Sequence, residues 1–147
     1  MQAQDALLGG ESSGGLTIRG HILGKDGILA AALMVEMLAL TGSKIRELLD
    51  QVHAITGQLF SIETSTPATS EMKILIPKRL RESQIEQIGP YPVLETSHKD
   101  GTKFLLENDN WLLLRFSGTE PLLRIIAEAD TLDKAHELAD WGMELIK

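Results

Sequence analysis

The stretch Arg115-Phe116-Ser117-Gly118-Thr119-Glu120-Pro121, with Arg124 three residues further on, holds residue types at a spacing that could do chemistry. Ser117 and Thr119 carry hydroxyls on either side of Gly118, whose missing side chain lets a ligand come close to the backbone. Successive amides in such a turn can form an anion-binding nest. Two arginines on the adjoining strands can add bidentate, charge-assisted hydrogen bonds. Hydroxyls, amides and guanidinium groups converging on one point suit a phosphate. The plainer reading is a turn in which Ser and Thr bond their own backbone and the arginines lie in solvent. Spacing leaves both open, and arginines on strands otherwise made of Leu, Ile and Trp favour the phosphate.

A second candidate is Gly9-Gly10-Glu11-Ser12-Ser13-Gly14-Gly15, four glycines around one carboxylate and two hydroxyls. It lacks the lysine of a phosphate-cradling loop and the spacing of a dinucleotide fingerprint. Glu11 could accept hydrogen bonds from two neighbouring hydroxyls, and a serine could donate or accept one. That set suits a sugar ring better than a phosphate, which a carboxylate repels. Taken alone, this loop is more simply a flexible linker.

The elements that would position these loops follow from pattern. Residues 6–8 read as a short strand feeding the glycine loop, and 16–19 as a second extended piece. Asp26 can cap a helix running to about Leu40, with Gly42 near its C-terminal turn. That helix is apolar on nearly every face and is expected to be buried. A second helix is expected from Ser43, with Glu47 near the capping-box position and Ile45, Leu48, Leu49 and Val52 on one stripe. Leu59, Phe60 and Ile62 suggest a strand, and Thr64-Ser65-Thr66-Pro67 a turn. Thr69 or Ser70 can cap a helix reaching about Gln84 if Pro77 is tolerated. Strands are expected at 91–98, 103–107, 111–116 and 122–127, with turns at 99–102 and 108–110. Thr131 can cap a last helix to about Ile146, with Leu138, Trp141 and Leu145 on one stripe. The pattern is α+β, with a boundary near residue 57.

The chain has 147 residues, so one or two domains are expected. Lys plus Arg is 14 against 21 Asp plus Glu, a net charge of −7. Nucleic-acid scaffolds and anionic-membrane binders need a cationic face, so neither partner is expected. One local cationic pocket remains compatible with this balance. The absence of Cys removes disulfides, thiolate metal sites and a cysteine nucleophile. The apolar run Ile28–Leu40 is shorter than the roughly 18 to 20 residues of a membrane span, and the first residues lack the pattern of a signal peptide. A cytoplasmic protein is the expectation.

Together the two loops resemble the α-D-phosphohexomutase superfamily, which includes phosphoglucomutase and phosphomannomutase. Gly10-Glu11-Ser12-Ser13-Gly14-Gly15 is similar to the family's sugar-binding loop, usually GEESGG or GEMSGH. Leu16-Thr17-Ile18-Arg19-Gly20-His21-Ile22 and Lys25-Asp26-Gly27 are similar to the stretch that follows it. Residues 115–121 resemble the family's RPSGTEP phosphate-binding loop. The resemblance implies that Glu11 and Ser13 bond sugar hydroxyls, and that Arg115, Ser117, Gly118, Thr119 and Arg124 hold a phosphate. It places Lys25 near the reaction centre, as a substrate contact or in proton transfer; His21 is close in sequence and equally readable as structural. Ser12 stands where Glu or Met is common, and Phe116 where Pro or Ala is; neither change removes a hydrogen-bonding group. Gly15 replaces the histidine of the GEMSGH version.

The fold the resemblance implies is a C-terminal phosphohexomutase domain, an antiparallel four- to five-stranded sheet with helices on one face. The second half of an α/β domain precedes it. Residues 1–57 would be the C-terminal half of the third, sugar-loop domain, and 58–147 the fourth, phosphate-binding domain. The family's phosphoserine loop and its magnesium loop are absent from these residues. The chain therefore reads as the C-terminal part of a longer enzyme, an intramolecular phosphotransferase. That enzyme interconverts hexose 1-phosphate and 6-phosphate through a phosphoserine and a hexose 1,6-bisphosphate. The chain alone is expected to be inactive and to bind no cofactor; Mg2+ and glucose 1,6-bisphosphate are implied for the full-length enzyme. Its expected partners are a hexose phosphate and, through an incomplete first domain, further copies of itself. A non-enzymatic sugar-phosphate-binding or interaction module is the alternative.

Overall fold

The computed structural model describes residues 5–11 and 14–147, which separate into two compact units, 1–56 and 57–147. In the first, β1 (Leu8–Gly10) and β2 (Leu16–Ile18) form an antiparallel hairpin, followed by α1 (Gly27–Thr41) and α2 (Ile45–Thr56). The first strand sits two residues later than expected, because Leu8 rather than Ala6 lies opposite Ile18. Asp26 caps α1 by accepting from the Ile28 and Leu29 amides at 3.0 and 2.9 Å, and Gly42 ends it with φ +63°. The start of α2 differs from expectation. Its reciprocal cap is the Lys44 amide donating to Glu47 Oε2 at 2.8 Å, so Ser43 lies outside the capping pair.

The expected burial of α1 is not observed. No described residue up to Thr56 is buried, and Ile28, Val35 and Leu40 of α1 are 85%, 66% and 80% exposed. The stripe on α2 likewise stays largely in solvent, with Ile45 and Val52 exposed. The reason is one of supply. Two three-residue strands and a second helix, bent 92° from the first, offer too little surface to cover a helix that is apolar all round. No single described helix is long and apolar enough to cross a membrane.

The second unit carries the core. Five antiparallel strands run in the order β3-β9-β8-β7-β6, with β3 Phe60–Pro67, β6 Glu95–Ser97, β7 Thr102–Leu105, β8 Trp111–Phe116 and β9 Leu122–Ala129. A separate two-residue ladder pairs β4 (Gln87–Ile88) with β5 (Tyr91–Pro92). The expected turn at 64–67 is instead the second half of β3, paired with Leu122–Ile125. Its alternation continues through the β-branched threonines, and Pro67 is tolerated at the end of an edge strand. The expected single strand 91–98 is broken at Val93–Leu94, which separates β5 from β6.

Period-two alternation decides which face of the sheet is covered. Leu112 and Leu114 of β8 lie opposite Ala127 and Ile125 of β9, and Phe104 of β7 opposite Leu112; all five are buried. Both helices of this unit cover that face. α4 (Leu132–Glu144) packs through Ala135, Leu138, Ala139 and Gly142. Leu138 fulfils the expected stripe, whereas Trp141 is 40% exposed and lies against Gly89, a close approach that a glycine with φ +57° permits. α3 (Met72–Glu82) buries Ile76 and Leu80 and runs through Pro77, stopping two residues short of Gln84. The lost hydrogen bond and ring clash of an interior proline cost about 3 kcal/mol, and burying two large side chains that flank it in the helix offsets that. The fold is mixed α+β.

Candidate functional site

In the first unit, the glycine loop is the tip of the β1–β2 hairpin. The Glu11 amide donates to Gly15 O at 3.0 Å and the Gly14 amide to Glu11 O at 2.9 Å. Gly14 takes φ +84°, which a residue with a side chain rarely adopts. The segment after β2 folds back over this tip: Thr17 Oγ1 donates to Gly24 O, and the Asp26 amide to Leu16 O at 3.0 Å. These contacts carry Lys25 across the loop, where its Nζ lies 2.5 Å from Glu11 Oε2. Gly15 makes the crossing possible, since a Cβ there would stand 2.8 Å from Lys25 Cδ. The structure thus brings Glu11 and Lys25 together beside an open cavity of about 460 Å3 that Gly9, Thr17 and Leu23 also line. Ser12 and Ser13 fall outside the described residues.

The Glu11–Lys25 pair is half exposed on both sides, so its contribution to stability is below about 1 kcal/mol. Neighbouring His21 is engaged elsewhere: its Nε2 lies 2.8 Å from Asp26 Oδ2. That hydrogen bond, with the Leu29 and Ile28 amides, holds the Asp26 carboxyl below its ordinary value. His21 and the helix cap form one cluster, and Lys25 stands between them in sequence but points to Glu11.

In the second unit, residues 117–121 join β8 to β9 at one end of the sheet. Ser117 closes the hairpin by donating its amide to Leu122 O at 2.9 Å, while its Oγ accepts from the Thr119 and Glu120 amides at 3.4 and 3.2 Å. Both amides are thus engaged by the loop's own serine, as in the plainer self-bonded turn, and a phosphate would reach them only by displacing Ser117 Oγ. A Cβ on Gly118 would meet nothing within 4 Å, so this glycine leaves the approach to the loop open rather than relieving a packing clash.

The two arginines behave differently. They are direct cross-strand partners in the β8–β9 register, on the face away from the helices. Arg124 spends both terminal nitrogens on carboxylates, Nη1 on Glu63 Oε1 at 2.8 Å and Nη2 on Glu120 Oε2 at 2.9 Å. The hydrogen bond it donates to Glu120, with the charge of Glu63, pushes its pKa up. Arg115 gives only its Nε, to Asp100 Oδ1 at 2.9 Å. Its two terminal nitrogens make no hydrogen bond among the described residues, which leaves the fork that recognises a phosphate edge available.

Two contributors escaped the sequence reading. Lys99-Asp100-Gly101 looked like a simple hairpin turn, yet Asp100 orients Arg115. Gly101 has φ +80°, and a Cβ there would collide with Leu114 O and crowd Arg115. Lys73, in the first turn of α3, reaches Ser117 O with its Nζ at 3.4 Å. Its only sequence signal was a cation next to a helix start, which is common. No group of three or more His, Asp or Glu side chains among the described residues is placed to hold a metal ion. The described residues therefore do not fit a magnesium site.

Residues 1–55 match the family model described as phosphoglucomutase/phosphomannomutase, alpha/beta/alpha domain III, and residues 69–143 match that of the C-terminal domain. A protein of Thermococcus kodakarensis named phosphoglucomutase/phosphomannomutase is 32% identical over 143 residues, covering 97% of this chain and 29% of that protein. A phosphoglucosamine mutase of Methanocaldococcus jannaschii is 33% identical over 147 residues, covering 100% of this chain and 31% of its own length. A crystal structure of a phosphoglucomutase/phosphomannomutase family protein from Burkholderia thailandensis superposes with a TM-score of 0.73 at 21% identity, over 99% of this chain and 29% of that one. That last likeness is one of fold. The chain spans less than a third of the length of these relatives.

Proposed function

This chain belongs to the phosphoglucomutase/phosphomannomutase family, and on that premise we propose that it supplies the sugar-hydroxyl and phosphate contacts of a phosphohexomutase. The reaction of the whole enzyme is the interconversion of hexose 1-phosphate and 6-phosphate through a phosphoserine and a hexose 1,6-bisphosphate. The names of its relatives extend the substrate class to glucosamine phosphates. Within the chain, Arg115, Ser117, Gly118 and Thr119 hold a phosphate, Arg124 shapes the loop through Glu120, and Glu11 with Ser13 binds sugar hydroxyls. Lys25 is the group that leaves Glu11 when sugar binds and then contacts the substrate. The observation that carries this reading is the Arg115 fork, whose terminal nitrogens make no hydrogen bond among the described residues, two positions before Ser117.

Phosphoryl transfer needs an activated donor and a cation to neutralise its charge. The residues of this chain offer neither, so the chain alone binds without turning over; Mg2+ and the bisphosphate belong to the whole enzyme, which we place in the cytoplasm. The apolar surface of α1 and α2 makes self-association the expected state of the isolated chain. The test is titration with glucose 1-phosphate followed by amide NMR. Shifts at 117–124 and at Glu11 are expected. Silence at 117–124 at saturating ligand, or conversion of glucose 1-phosphate to glucose 6-phosphate by the chain alone, would overturn the reading.

A further inference from the structure

On the helix-covered side of the same sheet end, a cavity of about 290 Å3 opens between α3 and the turn at 98–101. Its floor is core: Ile76 and Leu80 of α3, Leu114 of β8 and Leu123 of β9 line it, and each is at least 95% buried as a residue. Its rim is cationic. Arg81 and Lys99 border the mouth with His98, against one carboxylate, Asp100, which is already paired to Arg115 Nε. In a chain of net charge −7, two cations and a histidine around one apolar recess are a local inversion of sign.

We propose that this recess binds a small amphipathic anion, an aromatic or branched apolar body carrying a phosphate or carboxylate. The volume is the first argument. A cavity of about 150 Å3 holds a benzene ring, so this one has room for a ring and its anionic substituent. The chemistry of the lining is the second. A free inorganic anion would meet the rim alone, and a neutral apolar ligand would leave the rim cations without a partner; an amphipathic anion answers both surfaces. Arg81 stands one residue past Leu80 on α3, so the same helical turn presents floor and rim. The recess is distinct from the loop at 117–121 and does not depend on that loop holding a phosphate.

The test compares phenyl phosphate with inorganic phosphate on the full chain, read by methyl and imidazole NMR. Phenyl phosphate is expected to shift the methyl signals of Ile76, Leu80, Leu114 and Leu123 and the ring signals of His98, whereas inorganic phosphate leaves those methyls in place. The double variant R81E/K99E alters only exposed side chains; it should keep the thermal unfolding midpoint and weaken phenyl phosphate by about tenfold or more. Shifts confined to 117–124 would assign the ligand to the loop and overturn the proposal. Unchanged affinity in the double variant, or phenol binding as tightly as phenyl phosphate, would also overturn it.

Discussion

Arg115 and Arg124 face each other across β8 and β9, yet one keeps its terminal nitrogens open while the other has both bound to carboxylates. Two like charges in direct cross-strand register repel, and the carboxylates of Asp100, Glu63 and Glu120 relieve that. The distribution is unequal, and it separates a ligand-ready guanidinium from a structural one.

Phosphate affinity should therefore depend unequally on the pair. Arg115→Ala is expected to weaken inorganic phosphate binding by about tenfold or more, the loss of a bidentate charge-assisted contact. Arg124→Ala should cost about threefold or less, since its charge is already balanced. Isothermal titration of both variants decides this, and equal losses would refute the division of roles. Asp100→Ala should fall between them, because it frees Arg115 to wander without removing it.

Asn110 is 1% exposed and ties three segments together. Its Nδ2 donates to Glu107 O at 2.7 Å and its Oδ1 accepts from the Asp130 amide at 2.8 Å, just before α4. Asn110→Ala leaves the Asp130 amide without its acceptor, while Glu107 O keeps the backbone amide of residue 110 at 3.2 Å, at a cost of about 1–3 kcal/mol. Urea denaturation should show a lower midpoint at unchanged slope.

Gly142 tests which of two opposing effects wins. Alanine in a helix interior gains about 1 kcal/mol over glycine. Here its Cβ would stand 2.6 Å from Ile125 Cγ2 and 3.0 Å from Leu112 Cδ1, in a fully packed core. Overpacking of that kind costs about 1–3 kcal/mol, so Gly142→Ala should lower the thermal unfolding midpoint. A rise would mean the sheet yields more readily than its burial implies.

Tyr91, the chain's one tyrosine, donates its hydroxyl to Glu137 Oε2 at 2.7 Å, and that hydrogen bond pushes its pKa up to about 12. The folded chain holds the phenol proton more tightly than the unfolded one. The stabilisation is complete below the ordinary value near 10 and is lost as pH rises through about 12. Ultraviolet titration of the phenolate should show the high value in the native chain and a return toward 10 in Glu137→Ala.

Much of the second unit was legible in the sequence, because β7 to β9 and α4 bury enough apolar area to obey their own periodicity. The misses share a cause. Thr64–Pro67 looked like a turn since Thr, Ser and Pro favour turns locally, but pairing with Leu122–Ile125 overrode that preference. The strand at 91–98 was broken by a second, smaller ladder at Gln87–Pro92 that no periodicity announces. In the first unit α1 reads as a core helix, yet the described residues around it cannot cover it. The turn between β8 and β9 at 117–121 was legible from type and spacing. Asp100 and Lys73 were not, because they reach the loop only through tertiary contact.

The exposed helices make an assembly prediction. Charged substitutions on α1, such as Val35→Glu with Leu40→Lys, should shift the chain toward monomer in sedimentation velocity while leaving the spectrum of residues 57–147 unchanged. A wild-type chain that is monomeric at high concentration would contradict the expectation.

The strand order carries a consequence for how the second unit assembles in time. β6, β7, β8 and β9 are a meander, each pairing with the next in the chain. β3 comes first in this unit but pairs only with β9, the last strand, from Phe60–Ala129 to Pro67–Leu122. During synthesis it must wait, unpaired, until every other strand of the sheet has emerged. Its long-range closure is the slow kind of contact. Substitutions in β3 should accordingly speed unfolding and leave the refolding rate little changed, the signature of a strand that docks after the barrier is crossed.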